Sequence, residues 1–155
     1  ILDIVILVSG FFIRVLFGAT LLNISVSNWL YLTVIAVSFY LGLGKRRNEI
    51  IKSGVKSRKV LEYYNKDFLD KNMYMCLAMT IVFYSLWTTD SAVVLKNNNL
   101  LIWTVPMIIV IAMKYSMNIE GNSDGDPVEV IMKDKVLIFL GLIYVISLFI
   151  ILYLV

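Results

Sequence analysis

The 155-residue sequence contains no histidine and a single cysteine, Cys76, set inside an apolar run. The first absence removes histidine-based triads, zinc-protease motifs and imidazole proton shuttles. The second removes any disulfide framework. Charge is scarce too, at 16% of residues, where a soluble domain carries about a quarter. The chain opens at Ile1 without an initiator methionine. No basic leader with a small-residue cleavage site precedes the first apolar stretch, so the sequence reads as part of a longer one. What remains is apolar: 60% of residues are hydrophobic and the mean hydropathy is +0.85. So small a body cannot bury that much apolar surface within itself, so lipid must cover much of it.

A helix needs about 20 apolar residues, at about 1.5 Å each, to cross the hydrocarbon core. Five stretches approach this: Ile1 to Leu22, Asn28 to Gly44, Asn72 to Leu95, Leu100 to Ile119 and Val136 to Val155. Backbone in lipid must satisfy its own hydrogen bonds, so these are expected as helices. The fold class is therefore an all-α, polytopic transmembrane helical bundle of about five spans. Nine of the fourteen Lys and Arg lie between Lys45 and Lys71. That clustering between apolar spans is a membrane signature rather than a nucleic-acid one, and it places the large loop 45–71 in the cytoplasm. Counting crossings puts the second polar loop, 120–135, on the same side. Within the large loop, Val60 to Leu69 reads as a short interfacial helix.

Arg14 stands in mid-span, where a charge costs roughly 2.5–3.5 kcal/mol on insertion scales, so it should face a cavity, a ligand or an acidic partner. Gly10 and Gly18 nearby would let another helix approach closely. Lys45, Arg46 and Arg47 follow two glycines at a helix end. They fan around more than half a helical turn and would suit a multiply charged anion, arginine through paired contacts to phosphate. They would equally serve as a topology signal. Glu49, four residues after Lys45, could orient it or touch a bound cation. Gly125 to Glu129 reads as a turn and a helix start. Lys133 and Asp134 fall at the cytoplasmic mouth, and Asp90 at the opposite interface.

The string FYLGLGKRRNEI, preceded by SNWLYLTVIAVS, resembles the second polar motif of the UbiA superfamily of membrane prenyltransferases, closest to its decaprenyl-phosphate phosphoribosyltransferase branch. LDIVILVSGFFIRVLFGA, RKVLEYYNKDFLD, TVPMIIVIAMKY and GDPVEVIMKDKVL resemble further segments of that branch, in order. Two departures stand out. The Asn- and Asp-rich first motif, which holds Mg²⁺ on a diphosphate, is absent from this sequence. Lys114-Tyr115 replaces an Arg-Tyr pair, keeping charge but losing bidentate geometry.

The resemblance implies that residues 1–155 are the C-terminal portion of a single UbiA-like domain, the last five of about nine helices. It implies a multi-pass enzyme of a bacterial or archaeal cell membrane, active toward the cytoplasm and dependent on Mg²⁺. Its substrates would be phosphoribosyl diphosphate and a polyprenyl phosphate. A sister reaction would join a prenyl diphosphate lipid to an aromatic or other acceptor. Substrate contacts would come from Arg14, Lys45, Arg46, Arg47, Tyr64, Lys114, Tyr115 and Asp134, with Glu49 near metal and the principal catalytic motif upstream. Composition alone would also fit a non-catalytic membrane protein or part of a transporter.

Overall fold

A computed structural model describes residues 1–21, 26–53, 64–97, 99–121 and 126–153. Among these no strand occurs. The helices are α1 (Leu2–Leu21), α2 (Asn28–Ser53), α3 (Lys66–Thr88), α4 (Ser91–Asn97), α5 (Val105–Glu120), α6 (Pro127–Lys133) and α7 (Lys135–Tyr153), with a 3-10 turn (Leu100–Thr104) leading into α5.

Among the described residues, three segments are long and apolar enough to cross a membrane: Leu2–Leu21, Leu100–Glu120 and Lys135–Tyr153. The last is apolar all round, which suits a lipid-covered helix rather than a one-sided packed one. Only Leu137 of α7 is buried, while Phe139, Leu142, Ile146 and Phe149 are exposed. The molecule is an all-α membrane bundle.

The other two expected spans differ from the sequence reading in an informative way. They lie in α2 and α3, of 26 and 23 residues, each joining an apolar stretch to a charged end. Charge therefore dilutes their hydropathy below that of the three spans. The polar stretch from Lys45 to Lys71 also begins and ends as helix, through Ser53 and again from Lys66. The expected interfacial helix at Val60 to Leu69 lies partly outside the described residues. Its described end, Lys66 to Leu69, is the first turn of α3, where the Asn65 side chain accepts from the Asp67 amide at 3.1 Å and caps the helix. The third stretch breaks at Thr88 rather than Leu95, and the Asp90 carboxylate accepts from the Ala92 amide at the start of α4. Within 120–135, Asp126 caps α6 and Pro127 occupies its first turn, as expected of a helix start; the expected turn at Gly125 lies outside the described residues.

The buried core lies toward the charged end, where Tyr40, Leu43, Leu69, Met73, Tyr115, Ile119 and Val130 cluster. Two glycines permit the close approach of helices there. A Cβ on Gly42 would come within 3.1 Å of Leu7, and one on Gly44 within 3.0 Å of Ile119. These contacts bring α1 and the end of α5 against α2. Arg47 meets α3 and α5, and Lys45 meets the start of α6. Both polar stretches thus converge at one end of the bundle.

Candidate functional site

The three consecutive cations of α2 point into different surroundings. Arg46 is 3% exposed; its Nη2 donates to Asp3 Oδ1 at 2.9 Å and its Nη1 to Glu49 Oε2 at 2.5 Å. Its Nε lies 2.6 Å from Asp3 Oδ2, in ion-pair contact but off a hydrogen-bond line. Arg47 is 6% exposed and its Nε donates to Asp70 Oδ1 at 2.5 Å. Its Nη1 reaches Asn48 Oδ1 at 3.0 Å and the Ile119 carbonyl at 3.4 Å, to which Asn48 Nδ2 also donates at 2.9 Å. That carbonyl is in the last turn of α5, where helix geometry leaves acceptors unpaired and favours a cation. Both guanidiniums are thus tied inside the chain, binding α1, α3 and α5 to α2. Lys45 differs. Its Nζ is 3.4 Å from Asp126 Oδ2, with side chains 33% and 45% exposed, a loose pair that an arriving anion can replace.

The remaining expected site residues, Arg14 excepted, fall around this centre. Glu49 pairs with Arg46, not with Lys45. Tyr64 is buried, stacks on Phe68 at 6.4 Å and has its hydroxyl 2.5 Å from the Ile1 nitrogen. Lys114 Nζ lies 2.8 Å from Asp134 Oδ2, which also accepts from Asn118 Nδ2 at 2.8 Å. The other oxygen of Asp134 accepts the Val136 and Leu137 amides at 2.8 and 3.2 Å, capping α7. Lys114 first, then Asn118, holds this carboxyl well below the usual range. The Val128 amide does the same for Asp126, with Lys45 adding to it. Arg14 is not brought to this end; it is exposed on α1.

A cavity of about 450 Å³ opens between α2, α3, α5 and α7. Its walls are mainly aliphatic, with tyrosines at both ends. At the far end Tyr144 donates to Tyr84 at 3.0 Å, Tyr84 meets Thr104 at 2.6 Å, and Thr104 donates to the Leu101 carbonyl at 2.6 Å. At the charged end Tyr40 and Ser116 hydroxyls meet at 2.7 Å, with the Tyr40 and Tyr115 rings 5.8 Å apart. Tyr115 is 6% exposed, yet its hydroxyl has no hydrogen-bond partner among the described residues. A buried unpaired hydroxyl is unfavourable unless something else completes it. Tyr115→Phe is therefore expected to stabilise the unliganded chain by about 1 kcal/mol, read as a raised thermal midpoint in detergent. A lowered midpoint would mean that the hydroxyl has a structural partner.

No family model matches the chain. Curated proteins do. It is 30% identical over 155 residues to a protein of Mycolicibacterium smegmatis named decaprenyl-phosphate phosphoribosyltransferase, covering 94% of this chain and 49% of that protein. The protein of the same name from Corynebacterium glutamicum is 31% identical over 152 residues, covering 94% and 45%. A Mycobacterium tuberculosis protein of that name is 24% identical over 148 residues. The chain resembles decaprenyl-phosphate phosphoribosyltransferases. It spans about half the length of these curated relatives. The likeness read from the ordered motifs thus extends over nearly the whole chain.

The described residues alone do not offer a site for the Mg²⁺ expected from the motif resemblance. No three metal-binding side chains converge among them, and Glu49 already receives Arg46. Sequence reasoning missed the acids that answer the arginines. Asp3 and Asp70 lie 43 and 23 residues from their partners. The available signal was that both stand at the charged ends of neighbouring helices, at the depth of Arg46 and Arg47.

Proposed function

We propose that this chain is the C-terminal portion of a UbiA-superfamily membrane transferase that moves phosphoribosyl from phosphoribosyl diphosphate onto a polyprenyl phosphate. A phosphate oxygen of the lipid bonds to the anomeric carbon of the ribose as the bond to diphosphate breaks and diphosphate leaves. The observation that carries this reading is the likeness to decaprenyl-phosphate phosphoribosyltransferases over 94% of the chain. The geometry supports it. The cavity offers an apolar wall to the lipid chain and ends beneath a tyrosine hydroxyl that lacks a partner. Lys45, loosely held by Asp126, supplies a cation with a replaceable partner at the charged end of the bundle. A fixed positive group lowers the energy of charge building on a leaving phosphate. Arg46 and Arg47 tie α1, α3 and α5 to α2. The Lys and Arg bias supports a cytoplasmic position for this end.

The test is a chimera in which this chain replaces the matching half of the Mycolicibacterium smegmatis protein. Its membranes are assayed with radiolabelled phosphoribosyl diphosphate and decaprenyl phosphate. The reading expects labelled lipid product, absent when the 155-residue chain is assayed by itself. A chimera that folds yet transfers only a prenyl group to an aromatic acceptor would assign the sister reaction. A folded chimera inactive in both assays would defeat the proposal.

A further inference from the structure

Arg14 lies on the part of α1 away from the candidate site. It is the thirteenth residue of α1, about 18 Å from the start and about 10 Å from the end of the helix at about 1.5 Å per residue. The shorter route to water is toward the C-terminal end. The guanidinium goes the other way: its Cζ sits over the Phe11 ring, 5.8 Å from the centroid and one turn back toward mid-span. Side chains on a helix lean toward its N-terminus, and the cation–π contact holds this one there. Among the described residues no carboxylate meets it.

The surface around Arg14 is open. Gly10 and Gly18 stand four residues before and after it, on the same stripe of the helix, and a Cβ at either would touch nothing within 4 Å. α1 packs chiefly on α2 through a different face, where Ile4 and Val8 are buried. A helix with small residues flanking one long charged side chain accepts a close neighbour, and a charge held in hydrocarbon needs an opposite charge. A second copy of this chain does not supply one at that depth. The acidic residue of α1, Asp3, lies at its opposite end and already receives Arg46.

We propose that the Gly10–Arg14–Gly18 face of α1 receives a transmembrane helix bearing an aspartate or glutamate at mid-span. This does not depend on the transferase reading. The relatives are about twice as long as this chain, so one polypeptide has room for such a helix.

The test places the full 155-residue chain in lipid nanodiscs at pH 8 with a fluorescent designed peptide. The peptide is an apolar Leu/Ala transmembrane helix with one central Glu, and its counterpart has Leu there. The Glu peptide is expected to associate at least tenfold more tightly than the Leu peptide. Arg14→Leu should erase the difference, and Gly10→Leu should weaken the Glu peptide several-fold. Circular dichroism should show unchanged helicity, since both positions are open. Equal association of the two peptides, or a Glu preference that survives Arg14→Leu, would overturn the proposal. Energy transfer between labelled copies of the chain that Gly10→Leu abolishes would assign the face to self-association and overturn it too.

Discussion

Arg47→Ala should lower the stability of the chain by about 3 kcal/mol, the usual loss when one member of a buried ion pair is removed. The substitution leaves Asp70 without its cation and strips one of two donors from the Ile119 carbonyl. Those contacts tie α3 and the end of α5 to α2, so loss is expected across the bundle rather than locally. Arg46→Ala should behave alike, because it abandons Asp3 and Glu49 together. Arg47→Lys keeps the charge but cannot span the same set of acceptors, and should fall between. The measurement is thermal unfolding of the purified chain in detergent or nanodiscs. An arginine kept only to grip a ligand would predict no change in the unliganded chain, and an unchanged midpoint for Arg47→Ala would remove the structural role.

The second large effect concerns Lys45. Lys45→Met in the chimera should weaken phosphoribosyl diphosphate binding or turnover by about tenfold to a hundredfold, since a charge-assisted hydrogen bond contributes roughly 1.5–3 kcal/mol. Stability should barely move. The pair it forms with Asp126 is 3.4 Å long and half in solvent, and such pairs contribute little to folding. Asp126→Asn should move affinity the other way, because the anion no longer competes with a carboxylate. If Lys45→Met reduced stability and left binding intact, the roles assigned to Lys45 and Arg47 would be exchanged.

Much of the fold was legible in the sequence because lipid imposes simple rules. The uncharged run from Val136 onward could only be a span, and α7 is one. The start of α6 was legible from Asp126-Pro127, where cap and first-turn chemistry coincide. The extent of α2 was not. A run of Lys-Arg-Arg suggested a helix ending in water, whereas the helix continues through it to Ser53. Two of those cations turn inward to acids on other helices and need no solvent.

The contacts of the candidate site residues were not legible in the sequence. Glu49 matched Lys45 at four residues' spacing, yet it meets Arg46 at three, because Arg46 is drawn to the α1 side by Asp3. The partners of Arg47 and Lys45 lie 23 and 81 residues away, and only tertiary packing brings them together. Local spacing cannot distinguish a cation waiting for phosphate from one already neutralised. Tyr115 was singled out by resemblance, but its missing partner is visible only once neighbouring helices are in place.

The central claim is that Lys45, and not the arginines beside it, meets the phosphate. A density map of the folded chimera with phosphoribosyl diphosphate bound tests it most directly. The account predicts a phosphate oxygen within hydrogen-bond distance of Lys45 Nζ, Asp126 moved away, and Arg47 still on Asp70 and the Ile119 carbonyl. A map in which Arg46 and Arg47 have left their carboxylates to grip the diphosphate would contradict it.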